Sequence, residues 1–132
     1  MIEALGKQGL HLVNLQYNAD AAEIGVISEA TGVRISHWDE AIQDYDETAA
    51  LISALDLTFT VCTAVVHLAG ALGKPVWVLA PFSPEWRYGA SGENMAWYPS
   101  ARVLRQSSFG DWKPLIAEAV RRLRIEWMGA KQ

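Results

Sequence analysis

Apolar residues in this chain fall into short alternating or continuous runs, separated by stretches with a helical repeat. Leu10-His11-Leu12-Val13-Asn14-Leu15 alternates at its start and leads into the turn-prone Asn18-Ala19-Asp20, which is the pattern of a strand. Asp20 is placed to cap a helix. Glu23 three residues later completes a capping-box pattern before Ile24 and Ile27, and Thr31-Gly32 supplies the stop. Val33-Arg34-Ile35-Ser36-His37 reads as a second strand. Asp44 or Asp46 then caps a helix in which Thr48, Leu51, Ile52 and Leu55 recur at helical spacing, and Leu57-Thr58-Phe59-Thr60-Val61 is a third strand.

The segment from Thr63 is apolar nearly all round, through Ala64, Val65, Val66, Leu68, Ala69, Ala71 and Leu72. It stops at Gly73, with Pro75 just beyond, which predicts a buried helix. Pro75-Val76-Trp77-Val78-Leu79 is continuous apolar sequence, as in a parallel strand covered on both faces. Ala101-Arg102-Val103-Leu104-Arg105 is a further strand. Ser108 or Asp111 opens a last helix with Pro114 in its first turn and Leu115, Ile116, Ala119, Val120 and Leu123 on one face. This alternation predicts an α/β fold, a doubly wound parallel sheet of Rossmann-like type, with residues 1–132 as a single domain. The segment from Ala80 to Ser100 is too long for an ordinary connection, which marks it as a working loop.

Composition narrows the function classes. With 51% hydrophobic and 20% charged residues the chain has the balance of a globular domain. Its net charge of −4, without an extended basic run, argues against nucleic acid as a partner. The longest uncharged apolar stretch is far below the ~20 residues of a spanning helix, so no membrane span is expected. One cysteine, Cys62, cannot form an internal disulfide, and no secretory signal opens the sequence, so a cytoplasmic protein is expected.

In open α/β sheets, ligands bind beyond the carboxyl ends of the strands. That rule selects Gln16 and Tyr17 after the first strand, Trp38 after the second, Cys62, Thr63 and Ala64 after the third, and the long loop after the fourth. At Cys62-Thr63-Ala64 a strand runs straight into a helix whose first amides lack intrahelical partners, which suits a phosphate. The Thr63 hydroxyl also suits a cap on its own helix, and the two roles are compatible. His67 lies one turn on, sharing a face with Thr63, Gly70 and Ala71. That face is either a ligand stripe or a packing surface in which a histidine nitrogen bonds a carbonyl. Trp86 and Arg87, beside Glu85 and Tyr88, suit stacking on a ring and pairing with phosphate, or covering a sheet edge; Trp77, Trp97 and Tyr98 are expected to pack. There is no Gly-rich dinucleotide fingerprint and no P-loop, no metal-ligand spacing and no hydrolase elbow, so no cofactor and no metal are expected.

The pattern Thr63-x-x-x-His67-Leu68-Ala69-x-Ala71-Leu72-Gly73-x-Pro75, within the stretch from Asp56 to Trp77, resembles the C-terminal half of the heptosyltransferase-like (family nine) glycosyltransferases, above all the bacterial type linked to tetratricopeptide repeats. Pro84-Glu85-Trp86-Arg87-Tyr88-Gly89, Trp97-Tyr98-Pro99-Ser100, Arg105-Gln106, Gly110-Asp111-Trp112 and Leu15-Gln16-Tyr17 follow the same family's order. The resemblance implies the donor-binding half of a GT-B enzyme, with metal-independent, inverting transfer from a nucleotide-diphosphate sugar. Thr63 and Ala64 would then map to the diphosphate turn, His67 to the motif histidine, and Gln16-Tyr17 to the crevice edge. Many members carry an acid where this chain has Cys62. The acceptor half, which normally brings the general base, would be a separate N-terminal domain or come through oligomerisation, so no catalytic residue is assigned. The alternative expectation is a non-enzymatic Rossmann-like domain for interaction or dimerisation, presenting Trp86, Trp97 or Trp127.

Overall fold

A computed structural model describes residues 1–129, with the side chains of Trp127 and Met128 outside that description. The fold is mixed α/β, and all of its named strand pairings are parallel. The order is α1 (Ile2–Gly6), β1 (Leu12–Val13), α2 (Ala21–Thr31), β2 (Ile35–Ser36), α3 (Asp39–Gln43), α4 (Tyr45–Ala54), β3 (Thr58–Val61), α5 (Ala64–Ala71), β4 (Val76–Ala80), β5 (Ala101–Arg105) and α6 (Lys113–Arg122). A 3-10 turn at Trp86–Tyr88 interrupts the long loop, and a π-helical turn at Leu123–Met128 follows α6. Strand–helix alternation with parallel pairing is compatible with the Rossmann-like class. The pairing is divided, however, between a two-stranded sheet, β1-β2, and a three-stranded sheet, β3-β4-β5.

The chain forms two compact units, Met1–Thr48 with the segment from Val120 onward, and Ala49–Ala119. In the first, β1 and β2 pair Leu12 with Ile35 and Val13 with Ser36. Asp20 caps α2 through its carboxylate, which accepts from the Ala22 amide at 2.8 Å, and Gly32 ends it in the left-handed conformation at φ 67°. Asp44, rather than Asp46, caps α4: its Oδ1 accepts from the amides of Asp46 and Glu47, both at 2.9 Å. Leu5 and Ile42 are buried, whereas no residue of α2 is.

The second unit is built around β4, whose five residues Val76-Trp77-Val78-Leu79-Ala80 are all buried. Their register sets Val78 between Thr60 and Val103 and Leu79 between Val61 and Leu104. A continuous apolar strand is stable here because it is paired on both edges, with Val66, Leu68 and Ala69 of α5 and Leu115 and Ala119 of α6 also buried. This order leaves the turns after β3, β4 and β5 at the carboxyl edge of one three-stranded sheet. Among the described residues, no helix is long and apolar enough to cross a membrane.

Candidate functional site

The turn after β3 keeps its expected geometry but not its expected cap. Thr63 occupies the N-cap position of α5 in extended backbone, φ −130° and ψ 174°, yet its side chain makes no cap hydrogen bond. Its hydroxyl lies 3.1 Å from that of Thr60 instead. The first turn of α5 therefore lacks a side-chain acceptor, and Thr63 and Ala64 are exposed.

Cys62 beside it accepts a hydrogen bond from the buried Tyr88 hydroxyl. Burial pushes the Cys62 thiol above its ordinary range and outweighs that bond, which acts in the opposite direction. Tyr88 is pushed up to about 12 by burial and by its Cys62 neighbour. Both shifts favour the protonated forms of the thiol and the phenol.

His67 stands between two tyrosines, its ring centroid 6.3 Å from that of Tyr88 and 5.7 Å from that of Tyr98. Its Nδ1 lies 3.3 Å from the Tyr98 hydroxyl, so a phenol takes the place of the expected backbone carbonyl. The small residue on the same helix face explains the approach of Tyr98: a Cβ at Gly70 would fall 2.3 Å from Tyr98 Cγ. The Thr63–His67–Gly70 face thus seats Tyr98 over Gly70.

The long loop is held by Arg105, at the carboxyl end of β5. Its Nε donates to Gly92 O at 2.8 Å and its Nη1 to Gly89 O at 3.1 Å, while its Nη2 reaches Tyr88 O at 2.5 Å and Ser91 O at 3.5 Å. Gly89 and Gly92 adopt φ 70° and 76°, conformations open to glycine that turn these carbonyls inward. Gln106 fixes the root of the loop by accepting from the Phe82 amide at 2.9 Å. Trp86 and Arg87 sit in the 3-10 turn beside Tyr88. Arg87 pairs with Glu85 at 2.5 Å, and Trp86 meets Trp97 edge to face with centroids 6.1 Å apart. Trp77 and Tyr98 pack as expected, but Trp97 is a correction: it is 58% exposed, its ring meeting the exposed Trp86 edge to face.

Of the sequence-derived candidates, Cys62, Thr63, Ala64, His67, Trp86 and Arg87 belong to the second unit, at or following the carboxyl ends of β3 and β4. Gln16, Tyr17 and Trp38 belong to the first. There Gln16 and Tyr17 are exposed after β1, where Asn18 adopts φ 58°, and Trp38 is the exposed N-cap residue of α3. Their neighbours are linked, as the Asn14 amide donates to His37 Nδ1 at 3.2 Å. A cavity of about 290 Å³ in this unit lies at the opposite, amino ends of β1 and β2, between Lys7, His11, Thr31 and Arg34. It is a concavity over the C-terminal ends of α1 and α2, at the other end of the β1-β2 pair from Gln16, Tyr17 and Trp38. Among the described residues, no three His, Cys, Asp or Glu side chains form a metal-binding group.

Sequence reasoning overlooked Arg105 as a site residue. The available signal was an arginine ending a strand opposite a loop with two glycines, Gly89 and Gly92, that bare their carbonyls.

No protein-family model matches the chain, and no solved structure matches it. Among curated proteins it is similar to Protein FlbA of Caulobacter vibrioides, 38% identical over 120 residues. That alignment covers 88% of this chain, which spans about a fifth of the relative's length (20%).

Proposed function

We propose that this chain is the nucleotide-sugar donor-binding part of a metal-independent, inverting glycosyltransferase of the heptosyltransferase-like type linked to tetratricopeptide repeats, acting in the bacterial cytoplasm. The observation that carries the reading is a surplus of hydrogen-bond donors at the carboxyl edge of β3-β4-β5. The α5 N-terminus has no side-chain cap, and Arg105, whose N–H groups are taken up by loop carbonyls, adds its charge. Arg87 Nε and Gln106 Nε2 are buried without a protein partner. Glu85 is already neutralised by Arg87, so Arg105 leaves the edge with net positive charge. A diphosphate supplies many acceptor oxygens and the matching charge.

In transfer, the same amides and the helix dipole stabilise the departing nucleoside diphosphate as the glycosidic bond breaks. No residue of this chain is assigned as general base, and the acceptor side is supplied by a further domain or a second copy.

Titration of the 132-residue chain with UDP- and ADP-sugars, followed by amide NMR, tests this reading. Saturable shifts at Cys62 to His67 are expected at millimolar ligand. Unmoved amides there with every nucleotide tried would overturn it.

A further inference from the structure

Outside the phosphate turn, the most conspicuous exposed feature of the second unit is aromatic. Trp86 is 77% exposed and Trp97 58% exposed, yet the two indoles are held edge to face at an interplanar angle of 70°. The Arg87 guanidinium carbon stands 6.0 Å from the Trp86 ring centre, and its carboxylate partner Glu85 lies on the other side of Trp86 in the sequence. Large indoles left in water cost hydration free energy, and in a soluble fold such a patch marks a contact surface.

The loop that carries them is preformed. Arg105 gathers the carbonyls of Tyr88, Gly89, Ser91 and Gly92, Gln106 pins Phe82, and the buried Tyr88 bonds to Cys62. Ordering is therefore complete before any ligand arrives, which removes the main entropic penalty of binding on a loop.

The geometry points to a carbohydrate platform: the Trp86 indole, braced edge to face by Trp97, stacks on the apolar C–H face of a pyranose, the Glu85–Arg87 pair bonds its hydroxyl edge, and Arg105 is the positioning residue that holds the loop. A pyranose is amphiphilic in the same sense as this surface, with an apolar face bordered by hydroxyls that both donate and accept. A bound carboxylate and guanidinium side by side offer both complements. A purely apolar partner would leave that charged pair desolvated and without a new partner. The inference rests on the donor-binding reading and extends it, assigning the sugar, as distinct from the nucleotide, to this loop.

The test separates the two readings by using two probes at two reporters. The 132-residue chain is titrated with UDP, UDP-glucose, ADP, ADP-glucose and methyl glucoside, while the Cys62–His67 amides and the indole N–H resonances of Trp86 and Trp97 are followed. Assignment uses Trp86→Phe and Trp97→Phe. Expected are amide shifts with every nucleotide, indole shifts only with the sugar-bearing ligands, and an affinity advantage of nucleotide sugar over bare nucleotide that falls about 3- to 10-fold in Trp86→Ala.

Arg105→Lys, which keeps the positive charge but loses the fork that gathers the loop carbonyls, is expected to weaken that same advantage and broaden the two indole resonances. Amide shifts without indole shifts, and an advantage unchanged in Trp86→Ala, would overturn the platform and leave the nucleotide site standing. Indole shifts with methyl glucoside but no amide response to any nucleotide would overturn the nucleotide reading alone. Indole shifts that track protein concentration in the absence of sugar would replace the carbohydrate with a second copy of this chain.

Discussion

Cys62 and Tyr88 illustrate how burial sets chemistry at a single position. The thiol lies next to a helix N-terminus, a position that commonly lowers a cysteine's pKa, yet burial prevails and holds it above its ordinary value. Alkylation of Cys62 near neutral pH is therefore expected to be slower than that of a free cysteine, and a rate equal to or above the free thiol's would contradict the burial argument. Tyr88 carries the same logic into stability. Both folded and unfolded chains keep the phenol proton below its ordinary value of 10; between there and about 12 the unfolded chain has lost it while the folded chain retains it. The folded state then binds the extra proton, so stability falls as pH rises through that window. Denaturant midpoints measured across it should fall more steeply for the native sequence than for Tyr88→Phe.

Gly70 makes a further prediction at this scale. Gly→Ala inside a helix ordinarily stabilises by about 0.5–1 kcal/mol. Here the new methyl would lie 2.3 Å from Tyr98 Cγ, so the ring must move off the helix and its contact with His67 is lost. Overpacking of this kind costs about 1–3 kcal/mol, which outweighs the propensity gain, and Gly70→Ala is expected to lower the unfolding midpoint. A midpoint that rises would show that Tyr98 yields freely.

Among the elements, β4 is both the most readable and the most consequential. Its run of five apolar residues is legible in the sequence because a strand buried on both faces cannot alternate. The α2, α4, α5 and α6 helices are legible for the complementary reason, their apolar spacing and the Asp20, Asp44 and Gly32 signals. Two short helices, α1 and α3, are not, because five residues give too few turns for a period to show. The β1 and β2 strands contract to two residues each, because alternation marks where a strand can form and pairing decides how much of it does. The division into two sheets, the Arg105 clamp and the Trp86–Trp97 pair are tertiary facts. An arginine bonding carbonyls far along the chain leaves only bared glycines as a trace, and an aromatic cluster reads alike whether it packs or faces water. If β4 is the keystone of its sheet, Leu79→Ala, which empties a site between Val61 and Leu104, should destabilise by about 2–5 kcal/mol. A loss of less than about 0.5 kcal/mol, from the urea midpoint shift multiplied by the m-value, would mean the cavity collapses.

Across the whole molecule, packing is unevenly distributed, and this bears on how the candidate residues act. The unit from Ala49 to Ala119 contains the continuous buried strand and the clamped loop, and its Cys62–Ala64 turn and indole pair stand on a backbone paired into three strands. In the other unit α2 buries none of its eleven residues, and the two strands contribute two residues each. Few buried apolar contacts and a short ladder mean a low free energy of local opening. Amides of α2 and of Leu12–Val13 and Ile35–Ser36 are therefore expected to exchange with solvent at low denaturant, well before those of Thr58–Val61, Val76–Ala80 and Ala101–Arg105, which should approach the global unfolding limit. Equal protection in the two sets would refute an uneven core. If the order holds, Gln16, Tyr17 and Trp38 lie on the more readily opened part of the chain. Their amides should then follow those of α2 in the same exchange profile, a correlation that hydrogen exchange across a denaturant series reads directly.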